Sequence, residues 1–177
     1  MKLTWFGGTT IRIHIGGAIL VIDPQGAPAG IATAELVSGA DSIIEGFGVD
    51  LEEVDLVTWK PRKVPRLLDE GDSLPLVQAW VADRGAILIE AVGEPPLLLV
   101  SLDIPTVGRW TEHAVVVVFG DANELRARGG HVVGQFGARL LALAGNEAAV
   151  DEAIPALRDS LDETGLVALE AGLALEV

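Results

Sequence analysis

The segment TTIRIHI, Thr9 to Ile15, alternates without a break, with Ile11, Ile13 and Ile15 on one side and Arg12 and His14 on the other. A period of two is the mark of a strand with one buried face. Gly7-Gly8 precedes it and Gly16-Gly17 follows it, so the pattern predicts a strand over Lys2–Phe6, a turn, this strand, and a hairpin into AILVID, Ala18–Asp23. That last run is almost continuously apolar and is expected to be buried on both faces. Pro24 to Ala34 is rich in Gly, Pro and Ala and reads as loop. Glu35 to Glu53 is irregular, with room for one short helix.

Further along, Asp55–Thr58 (DLVT) reads as a short strand, and Val64–Asp69 as the start of a short helix. Leu74–Val81, Gly85–Val92 and Leu97–Leu102 form three more strands joined by DRG and GEPP turns. Ala114–Phe119 (AVVVVF) is a buried strand, Asp121 caps a helix over Ala122–Arg128, and Ala138–Ala144 is another strand. A helix over Glu147–Thr164 and a closing hairpin of LVAL and LALEV complete the chain. Strands come first, then strands alternate with helices, and no linker or repeat interrupts them. The order predicts one α/β domain over residues 1–177: two packed sheets with helices on their outer faces, a four-layer αββα sandwich.

Composition narrows the chemistry. The 177 residues contain no cysteine, which removes disulfides, thiolate metal sites and cysteine nucleophiles. Half the residues are hydrophobic, as in a globular chain. The longest apolar runs, such as Ala18–Ile22 and Pro95–Val100, are strand-sized, far short of the roughly 18 residues needed to cross a bilayer. The opening MKLTWFGG lacks the apolar core of a signal peptide. We therefore expect a soluble cytoplasmic protein with no membrane partner. The net charge of -14 repels a phosphate backbone, and with four Trp, four Phe and no Tyr there is little to stack bases on, so no nucleic-acid partner is expected.

Against that acidic background, WKPRKVPR stands out. Lys60, Arg62, Lys63 and Arg66 fall within seven positions just after a predicted strand. Charge runs are usually solvated surface, here facing Asp69, Glu70 and Asp72. The functional alternative is that these four cations hold a small anionic ligand, a phosphate or a carboxylate.

KLTWFGGTTIRIHIGGAILVIDP resembles the opening of metallo-β-lactamase-fold proteins, in particular the branch similar to ascorbate-6-phosphate lactonases, whose hairpin ends in Ile-Asp-Pro, here Ile22-Asp23-Pro24. The resemblance implies a metallo-β-lactamase-like sandwich. It also implies that a strand like DLVT should be followed by His-x-His-x-Asp-His, the metal ligands. In that register the positions are Trp59, Pro61, Lys63 and Val64, none of which can ligate zinc. LLLVSLD is similar to the strand that ends in the family's bridging aspartate, which would be Asp103. After Ala138–Ala144 the family usually has one more His, and here the chain reads LALAGNE. The resemblance therefore points to a degenerate member with no metal and no cofactor.

The residues read alone agree. A zinc site needs three or four converging N, O or S ligands. His14, His113 and His131 are the only histidines, each isolated in sequence. His14 reads as a surface residue and His113 as a strand-boundary residue. His131, in the Gly-rich RGGHVVG, is the best placed of the three for a site. Asp103 reads as the cap of the turn IPTVGRW, with catalysis as the competing role. There is no GxSxG, no GxGxxG and no GxxxxGK[ST].

The expectation is thus a metallo-β-lactamase-fold protein that has lost its metal site and binds an anion or a protein instead of hydrolysing. A divergent hydrolase using Asp103 and His131, and a structural oligomer subunit, are the alternatives. Nine of the last twelve residues are Ala, Val or Leu, and such apolar terminal strands favour a homo-oligomer, a dimer or larger.

Overall fold

The computed structural model describes residues 1–63 and 76–177. The chain forms eleven strands and three α-helices among these residues: β1 Lys2–Gly7, β2 Thr10–Ile15, β3 Ala18–Ile22, α1 Thr33–Leu36, β4 Ser42–Ile44, β5 Val77–Asp83, β6 Ala86–Ala91, β7 Leu97–Val100, β8 Val115–Phe119, α2 Ala122–His131, β9 Leu140–Ala144, α3 Glu147–Arg158, β10 Gly165–Ala168 and β11 Ala174–Glu176. Sheet A has the order β11-β1-β2-β3-β4 and sheet B the order β10-β9-β8-β7-β6-β5. None of the described helices is long and apolar enough to cross a membrane.

The alternation in β2 does what its period requires. Ile11, Ile13 and Ile15 are buried and join Leu3, Trp5, Leu20 and Ile22 from sheet A against Ile87, Ile89, Leu97, Leu99, Val115, Val117 and Phe119 from sheet B. This is the core between the sheets. The other face of sheet B, Leu88, Leu98, Val116, Val118, Leu141 and Leu143, is covered by Leu125 and Val132 around α2 and by Ala149, Val150, Ala153 and Leu157 of α3. Strands β7, β8, β9 and β10 run parallel to one another and are apolar on both faces. The α/β sandwich expected from the strand order is present. Among the described residues the layer outside sheet A contains the four-residue α1, whose Leu36 carbonyl accepts from the Arg12 guanidinium at 2.9 Å.

Several local expectations are corrected. Asp55–Thr58 is a turn, not a strand: the Asp55 carboxylate accepts the Val57 N–H at 2.9 Å and the Thr58 hydroxyl at 2.8 Å, a local closure that competes with pairing. The Thr58 hydroxyl, then the Val57 N–H, hold the Asp55 pKa below its ordinary value. The expected helix from Val64 to Asp69 lies outside the described residues. β4 is a short parallel partner of β3, with Ile43 opposite Val21, inside a stretch that reads as irregular. Helix α2 runs three residues beyond Arg128, so His131 is helical and not in a turn, and a π-helical stretch Val132–Phe136 continues it. Helix α3 stops at Arg158, short of Thr164.

The two C-terminal strands are not a hairpin. β10 lies parallel to β9 at the edge of sheet B, while β11 pairs antiparallel with β1 at the edge of sheet A. The link between them crosses the open end of the sandwich, where the Gly172 N–H donates to the Trp5 carbonyl at 2.7 Å.

Candidate functional site

The carboxyl ends of parallel strands are where α/β folds usually place ligands. In this chain the ends of β7, β8, β9 and β10 and the end of β1 open onto one cleft of about 1130 Å³. Its floor is apolar, formed by Trp5, Phe119, Val150, Ile154 and Leu169, and its rim carries Asp121, Glu124, Glu147, Asp151 and Glu170. Among the described residues that line it there is no Lys, Arg or His.

Local sequence builds two walls of the cleft in the same way. FGDANE and AGNEAA each read strand, Gly, capping residue, helix. Asp121 accepts the N–H groups of Asn123 and Glu124, and Glu124 returns a bond to the Asp121 N–H, a complete capping box. Asn146 accepts the Ala149 N–H at 2.9 Å at the start of α3. The two turns touch: a Cβ on Gly145 would lie 2.9 Å from the Gly120 carbonyl oxygen and 2.7 Å from Leu125, so only glycine fits there. Arg128 ties the ends of β7 and β8 together. Its guanidinium donates to the Leu102 carbonyl at 2.8 Å and to the Phe119 carbonyl, and it pairs with Glu124 at 3.0 Å.

The opposite wall is the loop Gly7–Thr9 with Gly26 and Pro28. Asp23, of Ile-Asp-Pro, sits in the left-handed region at φ 47°. It is held there by the Thr9 hydroxyl on its carboxylate and the Thr10 hydroxyl on its carbonyl, the latter at 2.6 Å. Such a conformation is costly for a residue other than glycine and persists when its surroundings fix it.

The residues singled out from sequence do not gather at this cleft. Asp103 is exposed, beyond the end of β7, with its N–H on the Arg84 carbonyl at 3.2 Å. His131 closes α2 at the end away from its Asp121 cap, its ring edge-on to Phe136 at 5.8 Å. Among the described residues no hydrogen bond or ion pair joins Asp103 to His131. His14 pairs across from Lys2, at the opposite end of β1 from the cleft. Burial first, then Lys2 and Arg12, hold its imidazole below the ordinary 6.5. His113 precedes β8, whose other end meets the cleft.

The basic segment is elsewhere too. By strand alternation Glu90 shares the outer face of sheet B with Leu88, and it is 2 % exposed. Its carboxylate accepts the Arg62 N–H and, at 2.6 Å, the Arg62 Nε. Trp59 packs edge-on to Trp110 at 4.8 Å and to Trp80 at 6.2 Å. Lys60 and Lys63 are exposed, and Arg66 lies outside the described residues. Glu90 is level with the start of β7, whereas Asp103 follows its end, so the length of that strand separates Arg62 from Asp103 along the strand direction. Among the described residues there is no group of three or more His, Cys, Asp or Glu that could hold a metal ion.

No family model and no curated protein sequence matches the chain. One solved structure does match in three dimensions: Igni18, a novel metallo hydrolase from the hyperthermophilic archaeon Ignicoccus hospitalis. The TM-score is 0.51 over 99 % of this chain and 98 % of that one. The fold is metallo-hydrolase-like. At 11 % identity the likeness speaks for the fold alone. The described residues that line the cleft include carboxylates and no imidazole, so they do not make a histidine-based metal site.

Proposed function

We propose that this chain is a degenerate metallo-β-lactamase-fold protein, of the branch similar to ascorbate-6-phosphate lactonases, whose strand-end cleft has become a non-catalytic binding site. The observation that carries this reading is the placement of Trp59. In the register that the resemblance implies, Trp59 takes the place of the family's first histidine ligand, and its indole is packed against Trp80 and Trp110 on the outer face of sheet B, away from the cleft. Pro61 and Lys63 follow it in the same exposed segment.

The cleft retains its volume, its apolar floor and a carboxylate rim. It favours a small molecule with an apolar body and a positive charge. A contact between an ammonium and one of the exposed rim carboxylates contributes about 0.2–1 kcal/mol, so most of the affinity would come from burying the apolar body on the floor. The five rim carboxylates disfavour an anion there. The test is a calorimetric screen of aromatic and aliphatic amines alongside phosphate and carboxylate compounds, on the native chain and on Asp151→Asn and Glu170→Gln variants. Binding of an amine that weakens in either variant supports the reading. Binding of anions alone, unchanged in both variants, overturns it.

A further inference from the structure

Residues Asp55–Lys63 cross the outer face of sheet B as a strap that is neither helix nor strand. Six of the nine are exposed: Asp55, Val57, Thr58, Lys60, Pro61 and Lys63. Three anchors are present among the described residues. Leu56 is 2 % exposed, and its carbonyl accepts the Gly108 N–H at 3.0 Å and the Trp110 indole N–H at 2.7 Å. Trp59 lies against Trp80 and Trp110. Arg62 binds Glu90 through both its backbone N–H and its guanidinium.

Glu90 is out of character with its strand. AILIEA is buried at all six positions, and the other five are Ala, Ile or Leu. A buried ion pair is seldom worth more than an apolar pair of the same size, but losing one partner leaves an uncompensated charge in the interior. Such a pair therefore specifies position more than it adds stability. A segment with few buried groups opens locally at a small fraction of the free energy of global unfolding.

We propose that Arg62 and Glu90 form the latch of this strap, which is hinged at Leu56 and opens from sheet B while both sheets stay folded. Opening uncovers Trp80, Trp110 and the Glu90 carboxylate together. The device is separate from the cleft, so its test is independent of the cleft's ligand.

The experiment is hydrogen–deuterium exchange on the native chain and on Glu90→Gln and Arg62→Lys variants, with tryptophan emission recorded in parallel. The amides of Trp59 and Arg62 report the strap, and those of Val116, Val117 and Val118 in β8 report the core. The expected result in Glu90→Gln is exchange at least tenfold faster at Trp59 and Arg62, with the β8 amides within twofold of native. Emission should shift to the red, because three of the four tryptophans meet in this cluster. Arg62→Lys, which keeps the charge and loses the guanidinium geometry, should fall between. Strap exchange unchanged in both variants overturns the proposal. So does strap and β8 exchange accelerating together, or a Glu90→Gln chain that does not fold, since the latch requires the sheets to survive its release.

Discussion

Arg62 reaches Glu90 across the outer face of sheet B, at 2.6 Å from Nε to carboxylate, and this contact gives one cation of the basic segment after DLVT a buried partner. One of the four cations is spent on a carboxylate that would otherwise be buried alone. An uncompensated carboxylate at 2 % exposure is costly, and removing one partner of a buried pair typically destabilises by about 3–5 kcal/mol. That figure is the upper bound for Arg62→Ala, because opening of the strap hydrates Glu90: the urea unfolding free energy should fall by at least about 1 kcal/mol and by less than the full amount. Lys60→Ala and Lys63→Ala, both exposed, should each change it by less than about 0.5 kcal/mol. Equal effects at all three positions would contradict the pairing.

The Asp121 capping box both starts α2 and shapes the cleft rim. Asp121→Ala leaves two helix N–H groups without their acceptor and should cost about 1 kcal/mol. Chemical denaturation gives the number. Asp121→Asn, which still accepts, should recover most of it.

The wall built on Asp23 has no room to spare. A Cβ at Gly26 would lie 2.3 Å from the Asp23 carboxylate and 2.7 Å from the Thr9 hydroxyl. Gly26→Ala must push these two groups apart and should destabilise by about 1–3 kcal/mol. Gly30→Ala, in the same loop with open space around it, tests only backbone strain at φ +100° and should cost less. A Gly26→Ala chain as stable as native would show that the Thr9–Asp23 contact does not fix the wall.

His14 makes stability depend on pH. Burial, Lys2 and Arg12 lower its pKa in the folded chain, so the unfolded chain takes up that proton first as pH falls. The stability associated with neutral His14 is complete above 6.5 and is lost as pH drops from there through the depressed folded value. Urea midpoints at pH 7.5 and pH 5 should differ more for the native chain than for His14→Gln. The same difference in both would place the pH dependence elsewhere.

Much of the sheet architecture was legible in the sequence because its signals are local. The Ile11, Ile13, Ile15 alternation and the flanking glycine pairs set β1 to β3, and VVVVF could hardly be anything but a buried strand. What failed depended on distant partners. DLVT has strand-like residues, yet Asp55 closes a turn on Val57 and Thr58 before any strand can pair with it. LVAL and LALEV look like a hairpin, but each completes the edge of a different sheet, and nothing near either states which. β4 is three residues long and owes its existence to β3.

The cleft was the least legible part. Its residues are strand-end glycines, helix caps and a threonine, none of which forms a recognisable motif. The one usable signal was the repeated strand-Gly-Asp/Asn-helix turn in FGDANE and AGNEAA. Attention to the basic segment pointed to the outer face of sheet B instead.

The central claim is the proposal that the cleft of this hydrolase-like fold holds no catalytic metal, because in the register that the resemblance implies the ligand positions are Trp59, Pro61, Lys63 and Val64. Elemental analysis of protein purified without chelator, before and after dialysis against zinc, manganese and iron, tests it most directly. The account predicts well under one-tenth of a metal ion per chain, unchanged by Asp121→Ala or Asp103→Ala. About one ion per chain, retained through dialysis and lost in either variant, would contradict it.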